Sequence, residues 1–435
     1  MVLSRIGRGP VRVALVSLLG LLPAACSKSG GTPSGPVLGD VAVYALTTGG
    51  APDPDGYTVS LDGGTGQAIG IGGTVTFKNV STGSHQLELS GLASNCFVAG
   101  SNPRAADVAG SGTVQVAFLV HCPLGSSIAF VSRRSGDAEV WSMAPDGSGA
   151  ADLSQSGGSL DIEPAWSPFG SAIAFVSDRT GSQHIWSMAP DGSGATDLTS
   201  GSAGPDTDPR WSPDGGRIAF VSARTGDRDI WVMNADGTSP FDATPSTSSA
   251  DESPRWSPDG TRIAFVSDRT GSQEIWVVDA DGSNLAQLTD GAGTDRDPDW
   301  SPDGSMIAWV SARTGSDEIW VMKADGSGAA QLTSAAGGDE SPRWSPDGST
   351  IAFVSARTGV QDVWIMGADG SGQTDLTSDG AGRDYDPGWS PDGSMIAFVS
   401  DRTGDADVWV MGADGSAPTD LTFAPGSDDS QVWQP

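Results

Sequence analysis

Two residue series recur along this chain with types and spacing that chemistry could use. Close acid pairs stand at Asp161 with Glu163, Asp206 with Asp208, Asp251 with Glu252, and Asp295 with Asp297. Asp339 with Glu340, Asp384 with Asp386, and Asp428 with Asp429 continue the series. Arginines recur in step at Arg134, Arg179, Arg224, Arg269, Arg313, Arg357 and Arg402. Converging carboxylates raise one another's pKa or gather cations. Two uses follow. Each Arg could tie a neighbouring acidic loop, giving a ring of structural ion pairs. Alternatively the acids, outnumbering these Arg about two to one, could form a channel mouth that takes calcium or a cationic peptide.

The elements that must position these residues form one unit repeated seven times. Ile-Ala-Phe begins at Ile128, Ile173, Ile218, Ile263, Ile351 and Ile396, with an Ile-Ala-Trp variant at Ile307. One Trp series falls at 141, 186, 231, 276, 320, 364 and 409, and a second, mostly within WSPDG, at 166, 211, 256, 300, 344 and 389. In the copy from Asp251, four strands are expected: Pro254 to Ser257, Arg262 to Ser267, Glu274 to Val278, and Leu285 to Leu288. Ser257-Pro258-Asp259-Gly260, Asp268 to Gly271 and Ala280 to Ser283 are turn chemistry. Four strands at this period indicate a β-propeller. The first unit lacks its WSPDG strand, while Gln431-Val432-Trp433-Gln434-Pro435 is a surplus one. The fold expected is therefore all-β: a seven-bladed propeller over 123–435, closed by a C-terminal strand that removes the open sheet edge. Blade order places the acid pairs in the loops between strand four and the next strand one. The turn Asp residues are turn formers, because the units lack the Glu of a calcium loop.

Ahead of the repeats, residues 38–122 alternate with period two in short runs such as Tyr57-Val59-Leu61 and Val114-Val116-Phe118-Val120. Glycine- and Asp-rich turns separate these runs, as in a small antiparallel β-sandwich. Residues 1–25 carry Arg5, Arg8 and Arg12 before a ten-residue apolar run, Val13 to Leu22, too short to span a membrane. They read as a secretion signal. Residues 26–37 are a Ser/Gly/Pro tether. Cys96 and Cys122 form the natural disulfide in a secreted chain, with two buried free thiols as the alternative.

The repeats resemble the WD-like propeller repeat of the TolB family: PxWSPDGxxIAFxSxRxG, then IWxM, then DGS and LT. That resemblance covers about 310 residues, Leu124 to Pro435. It implies a periplasmic or surface propeller that binds protein partners without catalysis. TolB itself has six blades behind an α/β domain, so its partner is not carried over to seven repeats behind a sandwich. Val75 to Leu89 resembles small immunoglobulin-like modules of bacterial surface proteins, which implies a spacer or binding role. Leu22-Pro23-Ala24-Ala25-Cys26 resembles the lipobox of bacterial lipoproteins, implying lipid on Cys26; Pro23 stands where that family usually has Leu.

The formal charge of −31 argues against nucleic acid and anionic membrane as partners. No G-x-S-x-G elbow is present, and His184 is the only His of the repeats, which leaves no serine hydrolase or zinc site. The expectation is a monomeric, non-catalytic envelope protein without a cofactor, calcium aside. It would be secreted across the inner membrane and tethered by lipid as a periplasmic, outer-membrane or surface lipoprotein. It would hold a protein or peptide partner at one face or channel mouth, with a carbohydrate-binding or carbohydrate-active propeller as the alternative.

Overall fold

The computed structural model describes residues 38–48, 56–91, 97–98, 103–121, 127–246, 248–378, 382–423 and 425–435. The expected signal and tether, Cys26 and the expected pairing of Cys96 with Cys122 lie outside the described residues. Every regular element among them is a β-strand. No described helix is long and apolar enough to cross a membrane.

Residues 38–121 form two four-stranded sheets around a core that includes Val41, Val59, Phe77, Leu87, Leu89, Phe118 and Val120. The expected all-antiparallel pairing does not hold. Leu38–Thr48 runs antiparallel to Thr74–Ser81 but parallel to Thr113–His121, so this sheet is mixed. A parallel pair needs a long crossover, and the intervening strands of the domain supply it. Alternation also overlooked Arg104–Val108, whose Ala-rich face buries only Ala106 and Val108.

From Ile128 onward come seven four-stranded sheets. Six are built from consecutive strands; the seventh joins Ile128–Ser132, Glu139–Met143 and Ala151–Asp152 to Asp428–Trp433. The first strands of successive sheets touch one another in a circle, and Asp428–Trp433 contacts both Asp161–Trp166 and Asp384–Trp389. These strands are innermost. The second strands, such as Ile263 to Ser267, are buried at every residue because sheets pack on both faces, which explains their unbroken apolar reading. The turns follow side-chain chemistry: Asp259 Oδ1 accepts hydrogen bonds from Ser257 Oγ at 2.6 Å and from the Thr261 amide at 3.0 Å. Gly260 then takes a left-handed φ of +69° that a Cβ would strain.

Neighbouring sheets are joined by indole hydrogen bonds. Trp211 Nε1 donates to the Ala165 carbonyl, Trp256 to Arg210, Trp300 to Arg255, Trp389 to Arg343 and Trp433 to Gly388, all at 2.9–3.1 Å. Each bond runs from one innermost strand to the preceding one. The indole of Trp344, by contrast, is buried without a partner for Nε1. Trp256→Phe should therefore lower stability by about 1–3 kcal/mol, the range for orphaning a buried polar group. Trp344→Phe should cost less, and urea denaturation of the two variants checks the difference.

Candidate functional site

The acid pairs are not in loops. Each innermost strand begins at its first acid, three residues earlier than expected, as in Asp251–Trp256. A register shift interrupts its pairing between the second and fifth residues in all seven sheets that have this strand. The third residue carries a left-handed φ of 50–55° at Glu163, Asp208, Ser253, Asp297, Ser341, Asp386 and Ser430. None of them is Gly. This bulge lets the strand bend at the axis, and it separates the pair members chemically.

The first acids are structural. Asp161, Asp206, Asp251, Asp295, Asp339, Asp384 and Asp428 are buried. Each accepts a hydrogen bond from the Nη2 of the arginine of its own sheet: Arg179, Arg224, Arg269, Arg313, Arg357, Arg402 and Arg134 in turn, at 2.5–3.0 Å. Each Arg Nε also donates to the serine that ends strand two, for example Arg269 to Ser267 at 2.9 Å. The guanidinium lies over the strand-three Trp, 4.5–4.9 Å from its centroid. Burial pushes the carboxyls of Asp251 and Asp428 up, against hydrogen bonds from Ser267 and Ser132 that hold them down.

The second acids divide between two positions. Glu252, Glu340 and Asp429 occupy the second slot and meet arginines: Glu252 with loop Arg228, Glu340 at 3.6 Å with Arg296 in the second slot of the preceding innermost strand, and Asp429 with loop Arg133 at 2.7 Å. Glu163, Asp208, Asp297 and Asp386 occupy the bulged third slot. Glu163 Oε2 accepts the Asp208 amide at 2.6 Å, and burial pushes its carboxyl up. Burial does the same to Asp386, which feels the opposing attraction of Arg343, Arg210 and Arg255. Fourteen carboxylates therefore do not share one mouth: seven are sealed against arginine, and the rest point two ways. Among the described residues no three His, Cys, Asp or Glu side chains are grouped to hold a metal ion.

A second acidic series is visible in the sequence as the Glu or Asp just before the Ile-Trp or Val-Trp of most repeats, the slot that His184 fills once, but its role is not. Glu139, Asp229, Glu274, Glu318, Asp362 and Asp407 are buried at the start of strand three, with His184 in the same slot. Thr289 Oγ1 donates to Glu274 Oε2 at 2.8 Å and accepts the Ile275 amide at 2.9 Å, which gives the Leu-Thr motif its purpose. His184 Nδ1 lies 2.8 Å from Asp197 Oδ2.

A cavity of about 600 Å³ opens at the other end of the innermost strands, where WSPDG begins. Trp166, Trp211, Trp256, Trp389 and Trp433 line it with prolines 168, 213 and 435, above Arg210, Arg255 and Arg343.

Burial, with the charges of Asp229 and Asp251, pushes Asp242 up to about 6. Its folded-state pKa thus exceeds the unfolded value of about 3.9. The folded chain binds this proton more tightly, so stability is gained as pH falls from about 6 towards 4 and lost as pH rises through that window. Asp242→Asn should flatten the dependence of the melting temperature on pH between 5 and 7 and raise it at pH 7, on the order of 2 °C; calorimetric scans check both. Arg269→Met, which strands buried Asp251, should cost about 3–5 kcal/mol by denaturant titration.

The model of the TolB beta propeller domain matches residues 160–250, 241–340 and 331–435, together more than half of the chain. TolB from Acinetobacter baumannii is 22% identical, with 71% of this chain and 67% of that one covered and a TM-score of 0.49. An oligogalacturonate lyase from Vibrio parahaemolyticus is 13% identical over 65% and 85% of the two chains, with a TM-score of 0.53. Prolyl endopeptidases are 12% identical over 70% and 50%, with a TM-score of 0.55. Identities this low speak to fold alone. No curated protein matches the chain. With its repeated ion pairs and indole links, the chain belongs to the TolB beta-propeller domain family.

Proposed function

We propose that this chain is a secreted, lipid-anchored binding protein: a closed seven-bladed propeller, carried on an immunoglobulin-like sandwich, that holds a protein or peptide partner at its channel mouth without catalysis. The observation that carries this reading is the axial cavity, about 600 Å³ and rimmed by tryptophan and proline from the innermost strands. It supports binding because it combines apolar contact area with a few charged groups, as ligand sites do. The repeated acids contribute little to a reaction centre, since the first of each pair is committed to its arginine. Family membership favours the same reading, and it requires no cofactor. The basic and apolar N-terminus and the lipobox-like Leu22 to Cys26 support an envelope location with attachment through Cys26.

Two measurements test this. In-cell crosslinking of the full chain followed by co-purification should enrich one envelope protein; capture of glycans and no protein would favour a carbohydrate-binding propeller instead. Metabolic labelling with palmitate should mark the wild type and be lost in Cys26→Ala. An unlabelled mature wild type would overturn the anchor.

A further inference from the structure

Seven-fold repetition makes its exceptions informative. The fifth residue of each innermost strand occupies one equivalent place beside the axis, and five residue types fill it in seven sheets: Ala165, Arg210, Arg255, Asp299, Arg343, Gly388 and Val432. Packing alone would repeat one residue here, as it does for the Trp that follows. Instead one arc carries three arginines around Asp299 and the opposite arc is small, and the cavity fills the space between them.

The basic arc is incompletely neutralised. Arg210 pairs with Asp208 at 2.6 Å. Among the described residues, Arg255 and Arg343 have no carboxylate within ion-pair distance; each spends one Nη1 hydrogen on the carbonyl before it, Pro254 at 3.0 Å and Pro342 at 2.9 Å. Asp299 Oδ2, on the same wall, accepts the Trp344 amide at 2.8 Å. All three arginines keep partial exposure to the cavity. Burial and the charges of Arg210 and Arg343 push Arg255 down to about 10, against the opposing pull of Asp208 and Asp299. Guanidinium groups crowded at the axis carry a desolvation cost that the carboxylates of Asp208, Asp299 and Asp386 offset only at a distance for Arg255 and Arg343. A ligand anion would repay it, and the planar fork of Arg matches a carboxylate in two-point contact. Across the cavity, Glu163 and Asp386 offer acceptors for N–H groups, and the indoles and prolines offer apolar surface.

We propose that Arg255 and Arg343, with Arg210, form a binding site for a peptide carboxylate that enters the cavity from its Trp–Pro end. The site rests on the binding-protein reading above and specifies its partner: an acidic peptide segment rather than a cationic one, despite the overall charge of −31.

Isothermal titration of the full chain with tetraglutamate, tetralysine and inorganic phosphate at fixed salt tests this. Tetraglutamate should bind saturably with one site per chain, and tetralysine should not compete with it. The double variant Arg255→Gln, Arg343→Gln should weaken tetraglutamate at least tenfold while the chain stays folded, with a melting temperature lowered only by the attraction these arginines exert on Asp299 and Asp386. Gly388→Leu is an independent variant that changes no charge. A Cβ there meets only Trp433 Cδ1, at 3.9 Å, so the added side chain should fill the cavity and also abolish binding. Absence of saturable binding, binding unchanged in both variants, or binding of phosphate alone would overturn the peptide-carboxylate site. If an envelope partner were captured equally by the wild type and the double variant, the binding-protein reading would stand and this site would fall.

Discussion

Each sheet of the repeat region is organised around one buried charge pair. The aspartate that opens the innermost strand, the serine that closes the second and the arginine of the following turn meet within about 3 Å, and the guanidinium caps the indole of the third strand. Three of four strands are thus referred to a single point at the sheet's end. A buried ion pair adds little net stability over apolar packing, yet it is strongly directional. Sheets that could slide by one residue and invert their faces are held in one register. Apolar burial of the Ile-Ala-Phe strands then supplies the driving force along a geometry already fixed.

Between sheets the coupling is different in kind. In five of the seven sheets an indole Nε1 reaches back to a carbonyl of the preceding innermost strand, so these sheets are positioned by their neighbours rather than by a common hub. The axis is left free of obligatory contacts. That freedom permits the fifth strand position to vary from Gly388 to Arg255 while the surrounding Trp and Pro remain constant. A repeated frame with a variable lining is a general way for a propeller to acquire a particular ligand without altering its fold.

The repeat, its turns and the completing strand were legible because their signals are local: Pro-Asp-Gly turns, unbroken apolar runs and a fixed period. The acidic residues were legible as a series but not as positions. Asp206 with Asp208 and Asp251 with Glu252 look alike in sequence, yet a left-handed third residue sends Asp208 towards the axis and leaves Glu252 facing a loop arginine. No glycine marks that bulge, so neither its presence nor its direction could be read. The basic arc was hidden for a related reason: Arg210, Arg255 and Arg343 follow one another at intervals of 45 and 88 residues, and only the curving of successive sheets around one axis turns them to a shared cavity. In the first domain, the parallel pairing of Leu38–Thr48 with Thr113–His121 depends on a partner far along the chain, which alternation cannot reveal.

The pairing of Asp428–Trp433 with Ile128–Ser132 has a kinetic meaning as well. Every other strand partnership in the repeats joins immediate sequence neighbours and can form as soon as its own segment is available. This one spans nearly the whole repeat region, so its loop-closure entropy must be met before any reward is collected. Assembly is then sequential and local until a final, slow annealing event, and fraying begins at that same seam. The sheet containing Ile128 is the last to be completed and the first to be exposed, which makes it the place where proteases, chaperones and strand-donating neighbours would encounter this molecule.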